Sequence, residues 1–424
     1  MGIVEIYKPL GPAHIPKTDS GTPLDIGINK DNPSDQRYSL VEKARIMRKY
    51  LRAVINNLDI SGKDSDPAKC DRRKLSISGV QAGDVLGKRY KVEKLLDSGA
   101  MANVHLVTDL NDSSVHAMKT LVGAVHKEEV VRRFIRESGA LANLNYSKIV
   151  NVHDLGWDMG KKIPYLVMEN LAGKEDLKPL NFSTLINQFH NQQIDINTML
   201  YYFADICDGL NYLHKRFQPV IHRDLKPSNI LVSNDFIHEG GPKRQLIKLA
   251  DFGLAKISHG SFTTLTDFGQ LMGTPEYAPI PDLLNENGQV DRRSDLYSLG
   301  IMLYFLMSGK LPFSNNSGSA ETPIARNTPI QRGTPNYSTE DLGSPITGLI
   351  NKHLTEKPDF EIDSIKQFIP EDIRERLISL TGSLLEKDPK KRPQTASEVA
   401  GTLRSIANPM RVSVPPLKIP RKSA

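Results

Sequence analysis

A polar run between two short apolar stretches carries side chains that could transfer a phosphoryl group. In VIHRDLKPSNILV, residues 220–232, Asp224 can accept the proton of a hydroxyl group, and Lys226 can neutralise charge on a moving phosphoryl group. Asn229 can offer an oxygen atom to a cation, and so can Asp251, which follows the apolar stretch LIKLA. Mg²⁺ prefers oxygen ligands and bridges the phosphates of ATP, so these side chains predict ATP-dependent phosphoryl transfer.

A second segment, LLDSGAMANVHLV at residues 95–107, is typical of a strand that turns over a phosphate and returns as another strand. Such a turn normally contains several glycines, because they let backbone N–H groups approach the phosphates closely. Only Gly99 is present here, so the segment predicts a nucleotide-binding hairpin with a stiffer turn.

The elements around these segments change in type along the chain. The alternating stretches YKVEKLL, NVHLVTD, SVHAMKTL and IPYLVMEN predict strands, with one helix from about Lys127 to Leu144 between them. From Leu171 to about Ile406 helical spacing dominates, and DLYSLGIMLYFLMSG is apolar nearly all round, which predicts a buried helix. We therefore expect an α+β fold, with a small β-rich lobe, a larger helical lobe and a ligand cleft between them.

The composition excludes several functional classes. The chain of 424 residues is 39% hydrophobic and 25% charged, and it has no apolar run long enough to predict a membrane span. Its formal charge of +6 is not concentrated in a basic block of the central region, so we expect no nucleic-acid binding. Two cysteines, Cys70 and Cys207, form no metal or disulfide framework, and the N-terminus has no apolar leader, so we expect a cytoplasmic protein.

The flanking segments and one internal segment differ in composition from the dense central region. Residues 1–38 predict a disordered extension, and an apolar stripe over 39–58 predicts an amphipathic helix. That helix either packs on its own domain or contacts a partner or a second copy of the chain. Residues 59–88 predict a linker, 314–344 a disordered insert with a Thr-Pro repeat, and 408–424 a basic tail.

These motifs and their order resemble the protein kinase family, in its bacterial serine/threonine branch. HRDLKPSN resembles the catalytic loop of that family, and DFG at Asp251 resembles its metal site. The resemblance covers 89–407 and implies an N-lobe at 89–169 and a C-lobe at 170–407. It also implies ATP as the phosphoryl donor, Mg²⁺ as the metal held by Asn229 and Asp251, and Ser or Thr hydroxyls of proteins as acceptors.

The resemblance extends to the residues that hold the nucleotide. HAMKTL resembles the lysine strand of the family, which implies that Lys119 binds the phosphates and that Glu137 pairs with it. YLVMENL is similar to the hinge, with Met168 as gatekeeper and Glu169 to Leu171 facing adenine. The residues implied for ATP binding are Leu96, Asp97, Ser98, Gly99, Ala100, Met101, Ala102, Asn103, Val104, Ala117, Lys119, Met168, Glu169 and Leu171.

The segment after Asp251 resembles an activation segment. GTPEY is similar to the substrate-positioning motif of the family, which implies that role for Thr274. Thr263, Thr264 and Thr266 precede it and are candidate sites of autophosphorylation, since a phosphate there could pair with an arginine. Two other functions remain open: a nucleotide-binding pseudokinase that acts as a scaffold, and a small-molecule phosphotransferase.

Three departures from the family pattern distinguish this chain. Asp97 and Ala102 stand at two glycine positions of the phosphate loop, and we expect the Asp97 carboxylate to point away from the nucleotide. In YAPI, Ile280 stands where the family has a glutamate that pairs with an arginine, here Arg392. The family's HPN motif is replaced by YSK, residues 146–148.

Overall fold

The structure is a computed structural model that describes residues 79–99, 102–121, 128–141, 144–158, 160–161, 163–171, 180–237, 241–252, 275–284, 290–314 and 345–407. The chain divides into two compact units. The first contains residues up to 145 and residues 150–178, and the second contains residues 146–149 and the chain from 179 onward.

The first unit is built on an antiparallel sheet of six strands in the order β1-β2-β3-β4-β6-β5. Its elements are β1 (Val85–Leu86), β2 (Tyr90–Ser98), β3 (Ala102–Asp109), β4 (Val115–Leu121), α1 (Glu128–Leu141), β5 (Val152–Asp158) and β6 (Ile163–Glu169). One face of the sheet carries the buried cluster of Leu86, Tyr90, Val92, Val107, Met118, Ile163, Tyr165 and Val167. The alternation seen in the sequence therefore reflects one packed face and one face left for other contacts.

Within the linker expected over 59–88 the structure describes residues 79–88, and two of these, Val85 and Leu86, form the short strand β1 of the sheet. Val85 pairs with Lys91, Gly83 donates a backbone hydrogen bond to Val92, and Leu86 is fully buried. Two left-handed glycines, Gly83 and Gly87, turn the chain into β2. A two-residue strand has too few residues to show an alternating pattern, so the sequence alone did not indicate it.

The second unit is mainly helical, with one two-stranded antiparallel sheet. Its elements are α2 (Phe182–His190), α3 (Ile196–His214), β7 (Ile230–Ile237), β8 (Arg244–Leu249), α4 (Ile280–Leu283), α5 (Arg292–Ser308), α6 (Pro345–Thr355), α7 (Asp363–Phe368), α8 (Glu371–Leu384) and α9 (Ala396–Ile406). In α5 every residue from Ser294 to Ser308 is buried, which confirms the predicted buried helix. Asp291 caps its start and left-handed Gly309 ends it.

Several predicted segments lie outside the described residues. They are the extension 1–38, the helix 39–58, residues 59–78 of the linker, residues 315–344 of the insert and the tail 408–424. Within the part of the chain that the structure does describe, no helix has the length and apolar character needed to cross a membrane.

Candidate active site

The β7–β8 pair brings Asn229 next to Asp251, although 22 residues separate them in the chain. Ile230 is opposite Leu249 in the antiparallel register, and the Ala250 N–H donates to the Asn229 carbonyl at 2.9 Å. Asn229 precedes β7 and Asp251 follows β8, so pairing of the two strands alone is enough to place both residues at one end of this small sheet.

Asn229 also joins this strand end to Asp224. Its amide nitrogen Nδ2 donates to the Asp224 main-chain carbonyl at 2.8 Å and to Asp224 Oδ2 at 3.0 Å. Lys226 Nζ lies 3.3 Å from the same carboxylate oxygen. Three of the six predicted catalytic and metal-binding residues are thus in direct contact, and a fourth, Asp251, lies two residues after the end of β8.

The donor atoms at this site fit Mg²⁺. Because Nδ2 of Asn229 is turned towards Asp224, its Oδ1 is the atom that can face a cation, and Asp251 supplies a carboxylate. Among the described residues no group of three or more His, Cys, Asp and Glu side chains could hold a metal ion. Mg²⁺ suits a pair of protein oxygens, since it takes its remaining ligands from phosphates and water.

The backbone at two of these positions is strained. Arg223 and Asp251 have φ angles of 66° and 51°, a left-handed conformation that non-glycine residues rarely adopt. Such strain persists only where the surroundings over-determine it, and it clusters at functional sites. The structure supplies that support at Arg223 through a residue of α5.

Asp295 of α5 holds the turn that precedes Asp224. Its carboxylate accepts hydrogen bonds from the backbone N–H groups of His222 and Arg223, both at 2.9 Å, and lies 2.8 Å from His214 Nε2. Burial alone would raise the pKa of Asp295, but the hydrogen bond and charge of His214 lower it overall. Asp295 is therefore a buried carboxylate that pins the strained turn.

His222 is a packing residue. Its side chain is fully buried, and its ring lies 4.8 Å from the Phe252 ring. Burial lowers the pKa of His222, although nearby carboxylates including Asp295 oppose that shift. The imidazole is therefore neutral near pH 7.

The arginine that the sequence left without its usual acidic partner has one. Arg392 is paired with Asp282 of α4, two residues beyond Ile280, through both of its terminal nitrogens. Although Ile280 stands at the family's glutamate position, an acidic residue two positions later forms the ion pair with Arg392. The sequence signal for this ion pair was an acidic residue, Asp282, only two residues after Ile280.

In the first unit, strand register gathers the predicted nucleotide residues on one face. Val104 is opposite Lys119, and one row further along the same face of β4 Ala117 is opposite Met168 of β6. Directly opposed residues in an antiparallel pair share a face, and residues two apart on a strand do so too. This face is the reverse of the one that carries Met118 and the packed cluster.

The hairpin between β2 and β3 is closed at Gly99, whose N–H donates to the Ala102 carbonyl at 2.9 Å. Ser98 Oγ donates to Asn103 Oδ1 at 2.9 Å across the same turn. An added Cβ at Gly99 would lie 3.2 Å from the Ala102 carbonyl oxygen, which is a tight contact. Gly99 therefore lies where the two backbone segments of this hairpin approach each other closely.

Asp97 lies on the sheet face that carries Lys119, and the orientation expected for its carboxylate stays a prediction. A bulge leaves Leu96 without a partner and moves Asp97 opposite Val104, on the face that carries Lys119. Without the bulge, the alternation would put Asp97 on the other face. Its side chain is exposed, and it lies on the side of the sheet where we expected the nucleotide.

The hinge and helix residues are only partly described. The Glu169 N–H donates to the Asn151 carbonyl at 3.0 Å, and Glu169 Oε1 accepts from the Asn151 N–H at 2.6 Å, so this N–H is engaged within the sheet. Leu171 is buried. Glu137 lies on α1, and its side chain is outside the described part of the structure, as are Ala100, Met101, Thr263, Thr264, Thr266 and Thr274.

Comparison with known proteins agrees with this arrangement. Residues 90–402 match the model of the protein kinase domain. A probable serine/threonine-protein kinase of Clostridium acetobutylicum is 32% identical over 68% of this chain and 40% of its own length. Serine/threonine-protein kinase PksC of Streptomyces coelicolor is 32% identical over 70% of this chain and 50% of its own length, so the chain spans half or less of these relatives.

The fold is similar to the kinase domain of Mycobacterium tuberculosis PknI in a mutant form. The TM-score is 0.50 at 20% identity, over 78% of this chain and 100% of that one. At this identity the likeness shows the fold alone, and it confirms the α+β fold with a β-rich and a helical part. With the family model matched over most of its length, the chain belongs to the protein kinase family.

Proposed function

We propose that the chain transfers the γ-phosphoryl group of ATP to serine and threonine hydroxyls of proteins. The contact of Asp224 with both Asn229 and Lys226, beside the strand end that leads to Asp251, carries this proposal. Phosphoryl transfer depends chiefly on positioning and on neutralisation of charge, and these four side chains supply the groups for both.

Each side chain has a distinct part in the proposed reaction. Asp224 accepts the proton of the acceptor hydroxyl, and Lys226 stabilises negative charge on the transferring group. Asn229 Oδ1 and the Asp251 carboxylate hold Mg²⁺, which when bound neutralises and orients the phosphates of ATP. The hydrogen bonds from Asn229 Nδ2 keep Asp224 oriented towards the acceptor.

The nucleotide is proposed to lie on the sheet face that carries Val104, Ala117 and Lys119. Lys119 binds the phosphates and pairs with Glu137 of α1, while Met168 borders the adenine. The register of β3, β4 and β6 supports this proposal, because it collects on one face residues that are up to 64 positions apart in the sequence, from 104 to 168.

The acceptor class and self-modification extend the proposal. Lys226 in HRDLKPSN favours serine and threonine over tyrosine, and both relatives are named serine/threonine-protein kinases. Thr274 would position the substrate, and Thr263, Thr264 or Thr266 would accept phosphate from the enzyme itself. Residues 39–58, for which the sequence predicts an amphipathic helix, remain a candidate contact for a partner or a second copy.

Radiolabelled ATP separates the candidate functions. The full chain is incubated with Mg²⁺, γ-labelled ATP and a basic test protein, and acid hydrolysates are analysed for phosphoserine, phosphothreonine and phosphotyrosine. Label in phosphoserine or phosphothreonine is the expected result. Saturable ATP binding without any protein labelling would contradict the proposal and favour a nucleotide-binding scaffold or a small-molecule phosphotransferase. Phosphothreonine within residues 263–266, located by mass spectrometry, is expected for self-modification.

A further inference from the structure

Residues 146–149, which replace the family's HPN region with YSKI, pack as part of the second unit although the chain on either side belongs to the first. Tyr146 stacks on Tyr212 of α3 with ring centroids 4.7 Å apart. Lys148 is 5% exposed and is the buried charge of this segment. A lysine is rarely buried unless it is paired, so its partners are informative.

Lys148 binds two carboxylates of α3. Its Nζ lies 2.7 Å from Asp205 Oδ1 and 2.6 Å from Asp208 Oδ2, and the two acids share a helix face because they are three residues apart. Each acid has a second cation: Arg244 binds both oxygens of Asp205, and Arg404 of α9 lies 2.6 Å from Asp208 Oδ2. Two carboxylates are thus shared among three cations.

Because the two carboxylates are shared, replacement of Lys148 leaves neither Asp205 nor Asp208 without a cation. Burial lowers the pKa of Lys148, but Asp205 and Asp208 raise it overall, so the amine stays protonated. If it is replaced by an apolar residue, Asp205 keeps Arg244 and Asp208 keeps Arg404. Breaking a buried ion pair is most damaging when a partner remains uncompensated, which is not the case here.

The backbone of the same segment is bound to β8. The Lys148 carbonyl accepts a hydrogen bond from the Leu249 N–H at 2.9 Å, and Ile149 forms a parallel bridge with Leu249. On its other side Leu249 pairs with Ile230 of β7, and Asp251 follows two residues later with its strained φ. At Gly209 of α3 an added Cβ would meet Leu249 at 2.8 Å and the Lys148 carbonyl at 3.4 Å.

We propose that Lys148 is a positioning residue for Asp251. Its ion pairs fasten residues 146–149 to α3, and the fastened backbone holds the end of β8 from which Asp251 follows. The inference rests on the proposed function in that Asp251 is taken as a Mg²⁺ ligand. Groups that orient metal ligands without touching the metal commonly change metal affinity.

Two matched variants of the full chain test the proposal. Lys148→Met removes the charge and keeps an unbranched side chain. Arg404→Met removes a cation from the same Asp208 carboxylate but from α9, so it controls for the loss of network charge. The first measurement is amide hydrogen exchange over residues 247–252, which does not depend on activity.

Exchange over 247–252 is expected to be about tenfold faster in Lys148→Met and unchanged within about threefold in Arg404→Met. The Mg²⁺ concentration for half-maximal phosphoryl transfer is expected to rise about tenfold in Lys148→Met only. Wild-type exchange and Mg²⁺ dependence in Lys148→Met, or equal effects in both variants, would overturn the proposal.

The proposal can still be tested if Lys148→Met does not fold or if the wild-type chain transfers no phosphate. If Lys148→Met does not fold, the wild-type chain still decides: the Leu249 amide is expected to exchange as slowly as that of Ile247, and rapid exchange would contradict the proposal. If the wild-type chain transfers no phosphate at all, the proposed function fails, while the exchange comparison still reports whether Lys148 holds the end of β8.

Discussion

Arg392 and Asp282 form a buried ion pair between segments 110 residues apart in the chain. Their side chains are 0% and 1% exposed, and the two hydrogen bonds measure 2.8 and 2.9 Å. Ser294 Oγ donates to the same carboxylate at 2.5 Å, so α4, α5 and the turn before α9 meet at Asp282. The pair restores a contact that the shortened YAPI motif would otherwise lack.

Asp282→Asn is expected to destabilise the second unit by about 3–5 kcal/mol, because it leaves the buried Arg392 guanidinium without a counter-charge. Urea unfolding followed by circular dichroism measures the change. Asp363→Asn on the exposed side of α7 is the control and is expected to change stability by less than about 0.5 kcal/mol. Equal stability of the two variants would show that Asp282 is dispensable.

Gly156→Ala is expected to destabilise the first unit by about 1–3 kcal/mol through overpacking. Gly156 is opposite Tyr165 in the β5–β6 register, and a Cβ there would collide with the buried phenol ring. The neighbouring Trp157 is the only tryptophan in the sequence, so its fluorescence reports unfolding of this unit. Gly79→Ala, with nothing near the added Cβ, is the control, and an equal loss there would refute the packing argument.

The sequence predicted those parts of the site that are local in the chain. Asp224, Lys226 and Asn229 lie within six residues, and the apolar strands around them were legible from their composition. The sequence also indicated Asp251 as a residue of the site, because an apolar strand precedes it. The antiparallel pairing that joins Asp251 to Asn229 became explicit only in the structure.

Features that depend on tertiary packing were not predictable. The bulge at Leu96 changes the face of Asp97, and no property of LLDSG indicates a bulge. Asp205 and Asp208 look like surface acids of α3 until the fold brings Lys148 between them. Burial of charge follows from long-range contacts, which a local pattern does not record.

Lys387→Met is expected to stabilise the second unit at pH 7. Lys387 Nζ lies 4.0 Å from the Phe313 ring centre and has no hydrogen-bond partner among the described residues. Burial, reinforced by the charge of Arg392, lowers its pKa from 10.5 to about 8. Burial therefore makes the charged ammonium form of Lys387 unfavourable in the folded protein. An apolar side chain of similar length removes that free-energy cost.

The stabilisation expected from Lys387→Met depends on pH in a defined direction. Between pH 8 and 10.5 the unfolded chain binds more protons at Lys387 than the folded chain, so this residue makes stability rise with pH across that window. The difference in free energy of unfolding between Lys387→Met and wild type is expected to shrink as pH rises from 7 to 10. A difference that is independent of pH would contradict the assignment.

Asp97→Gly is expected to lower the KM for ATP. The register puts Asp97 on the face of Lys119, where its charge opposes the triphosphate. Two unit charges ~6 Å apart at an effective dielectric near 20 interact by roughly 3 kcal/mol, and screening by salt and Mg²⁺ reduces this to about 1 kcal/mol. The expected change is about fivefold, measured by steady-state kinetics. Asp112→Gly, in the turn between β3 and β4, is the control. An unchanged KM in Asp97→Gly would indicate a carboxylate turned away from ATP.

The proposed reaction requires Asp224 to take the acceptor proton while Asn229 and Asp251 hold the metal. Asp224→Asn tests it most directly in single-turnover transfer from γ-labelled ATP to a basic test protein, with equilibrium ATP binding measured on the same sample. The rate of phosphoryl transfer is expected to fall by about 10²–10⁴-fold. The dissociation constant for Mg²⁺-ATP is expected to stay within about twofold of wild type, because Asp224 touches the acceptor and not the nucleotide. A wild-type transfer rate in Asp224→Asn would contradict the role of Asp224 as the acceptor of the hydroxyl proton.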